Sequence, residues 1–335
     1  MKISWISFLW IVGLWSSSAL GQNLQWKELQ TPVKASLRGL SPVSDQICWA
    51  VGSHGTWLRT VNGGMTWDVG VIAGLDSVDF RSIHAWDENS AIVASAGQPA
   101  VIYRTLDAGK TWEKVHQEGS QAFFDVIFFV SDKRGFVLGD PVDAKWMVLE
   151  TVDRGKSWQS LPSLPPSAEG EAAFAASNSS MIGTRSSLVF GTGGSVSNLH
   201  RYSFKRKDWT VSQTPMIQGE SSQGIFALEF INDRIIGVGG DFQNPTLNEF
   251  NAVIFQNQES KLPEKLPLGY RSGLAFFKPK KILIAVGPNG SDFSADNGWN
   301  WSSFSRVGYH AVKVSSDQKS VWASGSDGRI GILTY

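Results

Sequence analysis

Cysteine is almost absent from this chain. Cys48 is the only one, so no internal disulfide can brace the fold, and a buried thiol on a strand is the expectation for it. An excess of charge of either sign is missing too. Thirty Lys and Arg balance thirty Asp and Glu, and no Lys/Arg run breaks the balance, which argues against nucleic acid or an acidic membrane as the main partner. The histidines (His54, His84, His116, His200 and His310) show neither H-E-x-x-H nor Cys/His spacing, so no metal site is expected. No G-x-S-x-G elbow, P-loop or strand–helix dinucleotide fingerprint occurs, and no cofactor is expected. Gly191-Thr-Gly-Gly194 is glycine-rich but sits on a β–β connection, and reads as a turn. Helical periodicity is lacking after the first residues. The apolar run Ile3–Trp15 follows Lys2, precedes the small residues Ser16-Ser-Ser-Ala19-Leu-Gly21, and is too short to favour a membrane span. Residues 1–21 therefore read as a signal peptide, with a periplasmic or extracellular destination, and residues 22–335 as one domain.

What the chain does contain is one phrase, four times. Thr60-Val-Asn62-Gly-Gly64-Met-Thr66-Trp67, Thr105-Leu-Asp107-Ala-Gly109-Lys-Thr111-Trp112, Thr151-Val-Asp153-Arg-Gly155-Lys-Ser157-Trp158 and Ser294-Ala-Asp296-Asn-Gly298-Trp-Asn300-Trp301 follow the pattern [S/T]-x-D-x-G-x-[T/S/N]-W, with Asn for Asp in the first copy. From Trp67 to Trp112 and from Trp112 to Trp158 the intervals are 45 and 46 residues, the period of a supersecondary unit. An Asp or Asn in a tight turn can accept backbone N–H bonds two residues on, and the Gly supplies positive φ. The Trp then opens the next strand and packs on a sheet face. Asn62, Asp107, Asp153 and Asp296, with Trp67, Trp112, Trp158 and Trp301, are thus expected to lock hairpins and to do no chemistry. The phrase resembles the Asp-box, or sialidase-type (BNR), repeat of β-propellers.

Upstream of each box lie two further strands. Cys48–Gly52, Ala91–Ser95, Gly135–Gly139 and Ile282–Gly287 are preceded by strands starting near Leu37, Phe80, Phe124 and Tyr270. The same template finds units without a box. Phe174-Ala-Ala176 leads to Ser187–Gly191, Ile225–Leu228 to Ile235–Gly239, and Tyr309–Val312 to Ser320–Ser324. Seven units of about four short strands predict an all-β, seven-bladed propeller. The seventh unit stops after its third strand, while Leu24–Leu29 looks like a strand that follows a box. This N-terminal strand is therefore expected to close the last blade, leaving only short, protected sheet edges. A monomer is expected.

Register then points to a candidate site. Equivalent positions at the start of the innermost strands carry Arg38, Arg81, Asp125, Arg271 and His310, and equivalent positions on different blades should converge on one rim of the central channel. Three arginines there would form a cationic funnel for a carboxylate, a phosphate or an acidic segment. Gly139-Asp140-Pro141, the Gly170–Asn178 segment with Glu171, Gly239-Gly240-Asp241 and the segment from Val286 to Asp292 depart from plain strand chemistry. They could bring Asp140, Glu171, Asp241 and Asp292 to the same rim, with Asp140, Glu171 and Asp241 as catalytic candidates.

Those segments, with Gly269-Tyr-Arg-Ser272, resemble in order the photosystem II stability/assembly-factor-like branch of Asp-box propellers. The branch's plant and cyanobacterial members are lumenal or thylakoid-associated, and its relatives in non-photosynthetic bacteria carry loose names such as oxidoreductase or glycosyl hydrolase. The resemblance implies an exported propeller and does not imply photosynthesis. The favoured function is a non-enzymatic binding or assembly protein, gripping an unidentified protein partner or an anionic small molecule or glycan at the arginine-rich rim. The alternative is a sialidase-like glycoside hydrolase. Sialidases need an arginine triad, a Tyr nucleophile with a Glu, and an Asp acid/base. The Arg-Ile-Pro phrase that opens sialidase domains is missing, and the available tyrosines are Tyr103, Tyr202, Tyr270, Tyr309 and Tyr335. Tyr270 and Tyr309 precede rim positions and, by strand alternation, should point away from them.

Overall fold

The boxes make hairpins by a specific hydrogen-bond pattern. In a computed structural model that describes residues 23–335, Thr111 N–H donates to Asp107 Oδ1 at 2.9 Å, while Thr105 Oγ1 donates to the same oxygen and receives Gly109 N–H. Asn62, Asp153 and Asp296 repeat the arrangement. The accepted N–H lies four residues on, rather than the expected two. The cause is two successive left-handed residues, such as Ala108 (φ 66°) and Gly109 (φ 83°), which curl the chain back onto the carboxylate. The box tryptophans pack into layers between blades, with Trp158 and Trp301 buried.

Seven antiparallel sheets result. Blade 1 runs Leu37–Pro42, Cys48–Gly52, Thr56–Thr60, Asp68–Val71 from the channel outward. The innermost strands of blades 2 to 7 are Asp79–Ala85, Phe124–Phe129, Met181–Gly183, Gln223–Ile231, Gly273–Phe277 and Ala311–Val314. Each touches the next, and the last touches the first. The final blade is completed by Gln25–Leu29, which pairs antiparallel with Ile330–Thr334 in the register Gln25↔Thr334 to Leu29↔Ile330. Trp26 secures this closure. Its Nε1 donates to Ser291 Oγ at 2.9 Å, and its ring lies 5.1 Å from that of Tyr309. The expected leader lies outside the described residues.

The core is a ring of inter-blade layers rather than one centre. Trp49, Val51 and Trp57 of blade 1, for example, pack on Phe80, Ile83 and Val93 of blade 2. Cys48 is fully buried in such a layer, where burial pushes its thiol well above the usual range. Among the described residues one 3-10 turn, Lys278–Lys280, is the only helical element, and no helix is long and apolar enough to cross a membrane.

Two expectations about blade 4 need correction. Its innermost strand is Met181–Gly183, not Phe174–Ala176. And Gly193–Gly194 is not a free turn: it pairs with Glu171–Ala172 and touches Gly224, extending blade 5 to six strands. Here glycine is required by close approach, because a Cβ on Gly193 or Gly224 would run into the other segment's backbone.

Candidate functional site

The innermost strands do not enter the sheets smoothly. In blades 1, 2, 3 and 5 the pairing slips by one residue near the start, and the skipped residues are Arg38, Arg81, Asp125 and Phe226. A bulge leaves one residue out of the ladder and re-aims its side chain. The positions aligned by sequence register are thus four equivalent bulges on one face of the ring, with Phe226 the fourth member that the alignment of charged residues passed over. In blades 6 and 7, Arg271 and His310 fall just before the strand begins. The boxes connect third to outer strands, so antiparallel order places them on the opposite face.

Residues 173–180 occupy the channel between these bulges. Ala173 N–H donates to Asp140 Oδ1 at 3.0 Å, and the Phe174 ring stacks on Phe226 at 3.7 Å. Ala176 O receives Arg38 Nη1, and Ser177 Oγ donates to Ser272 O. The Asn178 amide receives Ile127 N–H and donates to Ile83 O, both at 3.0 Å, while its backbone carbonyl receives Lys313 Nζ at 2.7 Å. Ser179 O receives Leu228 N–H. The segment therefore touches blades 1, 2, 3, 5, 6 and 7, then turns into blade 4. Its small residues suit the place where the inner strands converge, so a run with strand-like composition becomes a plug. The channel is closed, and each mouth is a separate cavity.

The cavity on the bulge face has a volume of about 300 Å3. Arg38, Arg81 and His310 line one part, and Phe174, Phe226, Phe242, Tyr270 and Pro288 the rest. Arg81 Nε is paired with Asp79 Oδ2 at 2.7 Å. Arg38 has no carboxylate within 4.0 Å among the described residues; burial, then the Arg81 charge, pull its guanidinium below its ordinary range. His310 Nε2 lies 3.2 and 3.0 Å from Ser36 Oγ and Ser326 Oγ. Burial, with Arg38 and Arg81 adding repulsion, drives His310 down to about 3, so it is a neutral hydrogen-bonding wall at physiological pH.

Several expected members are placed elsewhere. Arg271 is 1% exposed and gives Nε and Nη2 to Asp292 Oδ2, both at 2.6 Å. This buried pair uses up both residues, so the expected trio of arginines at the cavity is a duo. Glu171 is sealed. Its Oε1 lies 2.9 Å from His200 Nε2 and receives Thr192 Oγ1 and Asn198 Nδ2. Burial raises its pKa, but the bonds from His200, Thr192 and Ala168 N–H outweigh that and hold it low. A carboxylate so occupied anchors the root of the plug. Asp241 receives Gln223 Nε2 and the N–H groups of Gln243 and Asn244, a turn-forming role; these bonds outweigh burial and lower its pKa. Asp140 lines a separate shallow depression with Pro141, Ala144 and residues 167–172. Asp125 is fully buried, and neither of its carboxyl oxygens has a hydrogen-bond partner. Burial and then Asp140 push it well above the carboxylate range, against a smaller pull from Arg81. Tyr270, expected to face away, lines the cavity, because Arg271 and Tyr270 lie outside the ladder where strand alternation no longer applies. Tyr309 does face away, into the last blade.

No group of three or more metal-ligating side chains occurs among the described residues. Residues 19–121 match the family described as photosynthesis system II assembly factor YCF48. No curated protein matches the chain. Among solved structures, YCF48 bound to D1 peptide superposes with a TM-score of 0.65 at 15% identity, covering 92% of this chain and 97% of its own. YCF48 from Cyanidioschyzon merolae gives 0.64 at 17%, covering 92% and 98%, and U3-55K gives 0.65 at 12%, covering 93% and 98%. At these identities the solved structures show a shared fold alone. With the matched N-terminal region, the chain resembles the photosystem II assembly-factor-like branch of Asp-box propellers.

Proposed function

We propose that this propeller, similar to the photosystem II assembly factors, is a non-enzymatic binding protein that holds an anionic, partly apolar segment of a partner protein in the bulge-face cavity. The observation that carries the reading is Arg38. It is a half-buried guanidinium with no carboxylate partner, beside the Asp79-paired Arg81, in a cavity whose other wall is aromatic. A carboxylate entering there meets charge-assisted donors where solvent is restricted, while an adjacent apolar side chain meets Phe226, Phe242 and Tyr270. That a similarly folded YCF48 has been seen bound to D1 peptide supports a peptide as the ligand class. An exported monomer acting outside the cytoplasm fits the leader-like N-terminus. The sialidase reading draws less support: Arg271 is spent on Asp292, Glu171 on His200, and no described carboxylate is hydrogen-bonded to Tyr270.

The test is fluorescence anisotropy with acidic peptides that carry apolar residues. Arg38→Gln should weaken binding by about tenfold or more, and Arg38→Gln/Arg81→Gln should abolish it, with melting unchanged. Binding that survives the double change sinks the cavity assignment. Turnover of a sialoside would make the protein an enzyme.

A further inference from the structure

A second cavity, of about 350 Å3, opens at the other mouth of the channel, beyond the plug. Phe128, Met181, Leu228, Leu274 and Phe276 make its apolar walls. Polar side chains interrupt them. Glu229 projects from the innermost strand of blade 5, Lys313 from that of blade 7, Gln318 from the next loop and Ser179 from the plug, while the exposed Lys278 stands at the rim.

These groups are left incomplete by the protein. Lys313 Nζ makes one hydrogen bond, to Asn178 O at 2.7 Å, and an ammonium has three donors. Glu229 Oε1 receives Phe230 N–H at 3.0 Å and Oε2 receives Phe276 N–H at 3.2 Å, leaving further lone pairs on both oxygens. Gln318 Oε1 is buried without a partner. Glu229 and Lys313 form no ion pair with each other within 4.0 Å, so these two opposite charges flank the cavity without meeting across it, and the third charge, Lys278, is exposed to solvent at the rim. Burial raises Glu229 and lowers Lys313 to about 8, and each only partly offsets the other's penalty.

The shape of this deficit selects a ligand. A simple anion at Lys313 would face Glu229, and a simple cation at Glu229 would face Lys313. An uncharged apolar molecule would leave both charges dry and unpaired, which is costly. A peptide end carries one of the two charges only. We infer that this cavity binds a small zwitterion with an apolar body, of the class of the free apolar α-amino acids. Its carboxylate takes the spare donors of Lys313, its ammonium bridges Glu229 and Gln318 Oε1, and its side chain lies against Phe128, Leu228 and Leu274. The volume is at the lower end for small-molecule sites, which suits such a ligand. The site is independent of the peptide cavity, since the plug separates them.

Isothermal titration of the full chain with L-leucine and L-phenylalanine tests this. Saturable binding is expected, weakened about tenfold or more for the N-acetyl and amide derivatives, each lacking one charge, and likewise by Glu229→Gln and by Lys313→Met. Arg38→Gln should leave it unchanged. The blocked derivatives need no variant, so a fold-compromised Lys313→Met does not spoil the test. No saturable binding, meaning a cavity filled by solvent only, overturns the inference. So does equal binding of free and blocked amino acids, or loss of binding in Arg38→Gln, which would move the ligand to the other mouth.

Discussion

Asn178 is the residue on which the plug depends most, and its replacement gives a quantitative test. The residue is 6% exposed, and its side chain satisfies two backbone groups of different blades, Ile127 N–H and Ile83 O. Ile127 lies two residues after the bulge at Asp125. Asn178→Ala leaves both groups buried without a partner, at about 1–3 kcal/mol each. Asn178 also has φ 56°, which Asn tolerates better than Ala, adding about 1 kcal/mol. The expected loss is about 3–7 kcal/mol, a large part of the stability of an ordinary domain. Asn178→Gly removes the same bonds but not the left-handed conformation, so it should be less damaging than Asn178→Ala by up to about 1 kcal/mol. Asn178→Asp keeps an acceptor for Ile127 N–H while losing the donor to Ile83 O, and should fall between wild type and Asn178→Ala. Urea unfolding followed by tryptophan fluorescence, with slopes compared to verify equal exposure, measures all three. If Asn178→Ala lies within about 0.5 kcal/mol of wild type, the plug contributes nothing to ring stability and the argument fails.

Three other outcomes follow from the geometry. Deleting residues 23–31 strips the outer strand from the last blade and should lower the melting temperature and promote association through the bared edge; an unchanged melt would sink the closure. Asp153→Ala removes the acceptor of Thr151 Oγ1, Lys156 N–H, Ser157 N–H and Ser157 Oγ, and should cost about 1–3 kcal/mol in urea unfolding while peptide affinity persists; loss of binding without loss of stability would place the boxes in the site. For Asp125 the sign follows from its raised folded-state pKa. The unfolded chain releases this proton near the ordinary aspartate value of 3.8 and the folded chain only well above it, so the wild type loses stability as pH rises through that window. Asp125→Asn should therefore match wild type near pH 3 and exceed it at pH 7 in paired urea titrations; a variant equally or less stable at pH 7 would refute the neutral, buried carboxyl.

Much of the architecture was legible because it is written in local chemistry. A box turn needs its hydroxyl, Asp or Asn and Gly within a few residues, and blade strands alternate with a short period, so seven units and the closing strand at Trp26 could be counted along the chain. The sequence alone also aligned Arg38, Arg81 and Asp125, since bulges recur at the same place in each unit. It could not tell that Arg271 would be consumed by Asp292, that Glu171 would be sealed by His200, or that Tyr270 would turn to the cavity. Those outcomes depend on partners that are distant along the chain, or on where a ladder stops. Phe174–Ser180 shows the difference most clearly. Its composition suits an inner strand, and only the ring decides that there is a channel to fill. Six blades then present unpaired backbone and side-chain groups to a segment slim enough to lie among them, and satisfying those buried groups outweighs its local preference for a sheet.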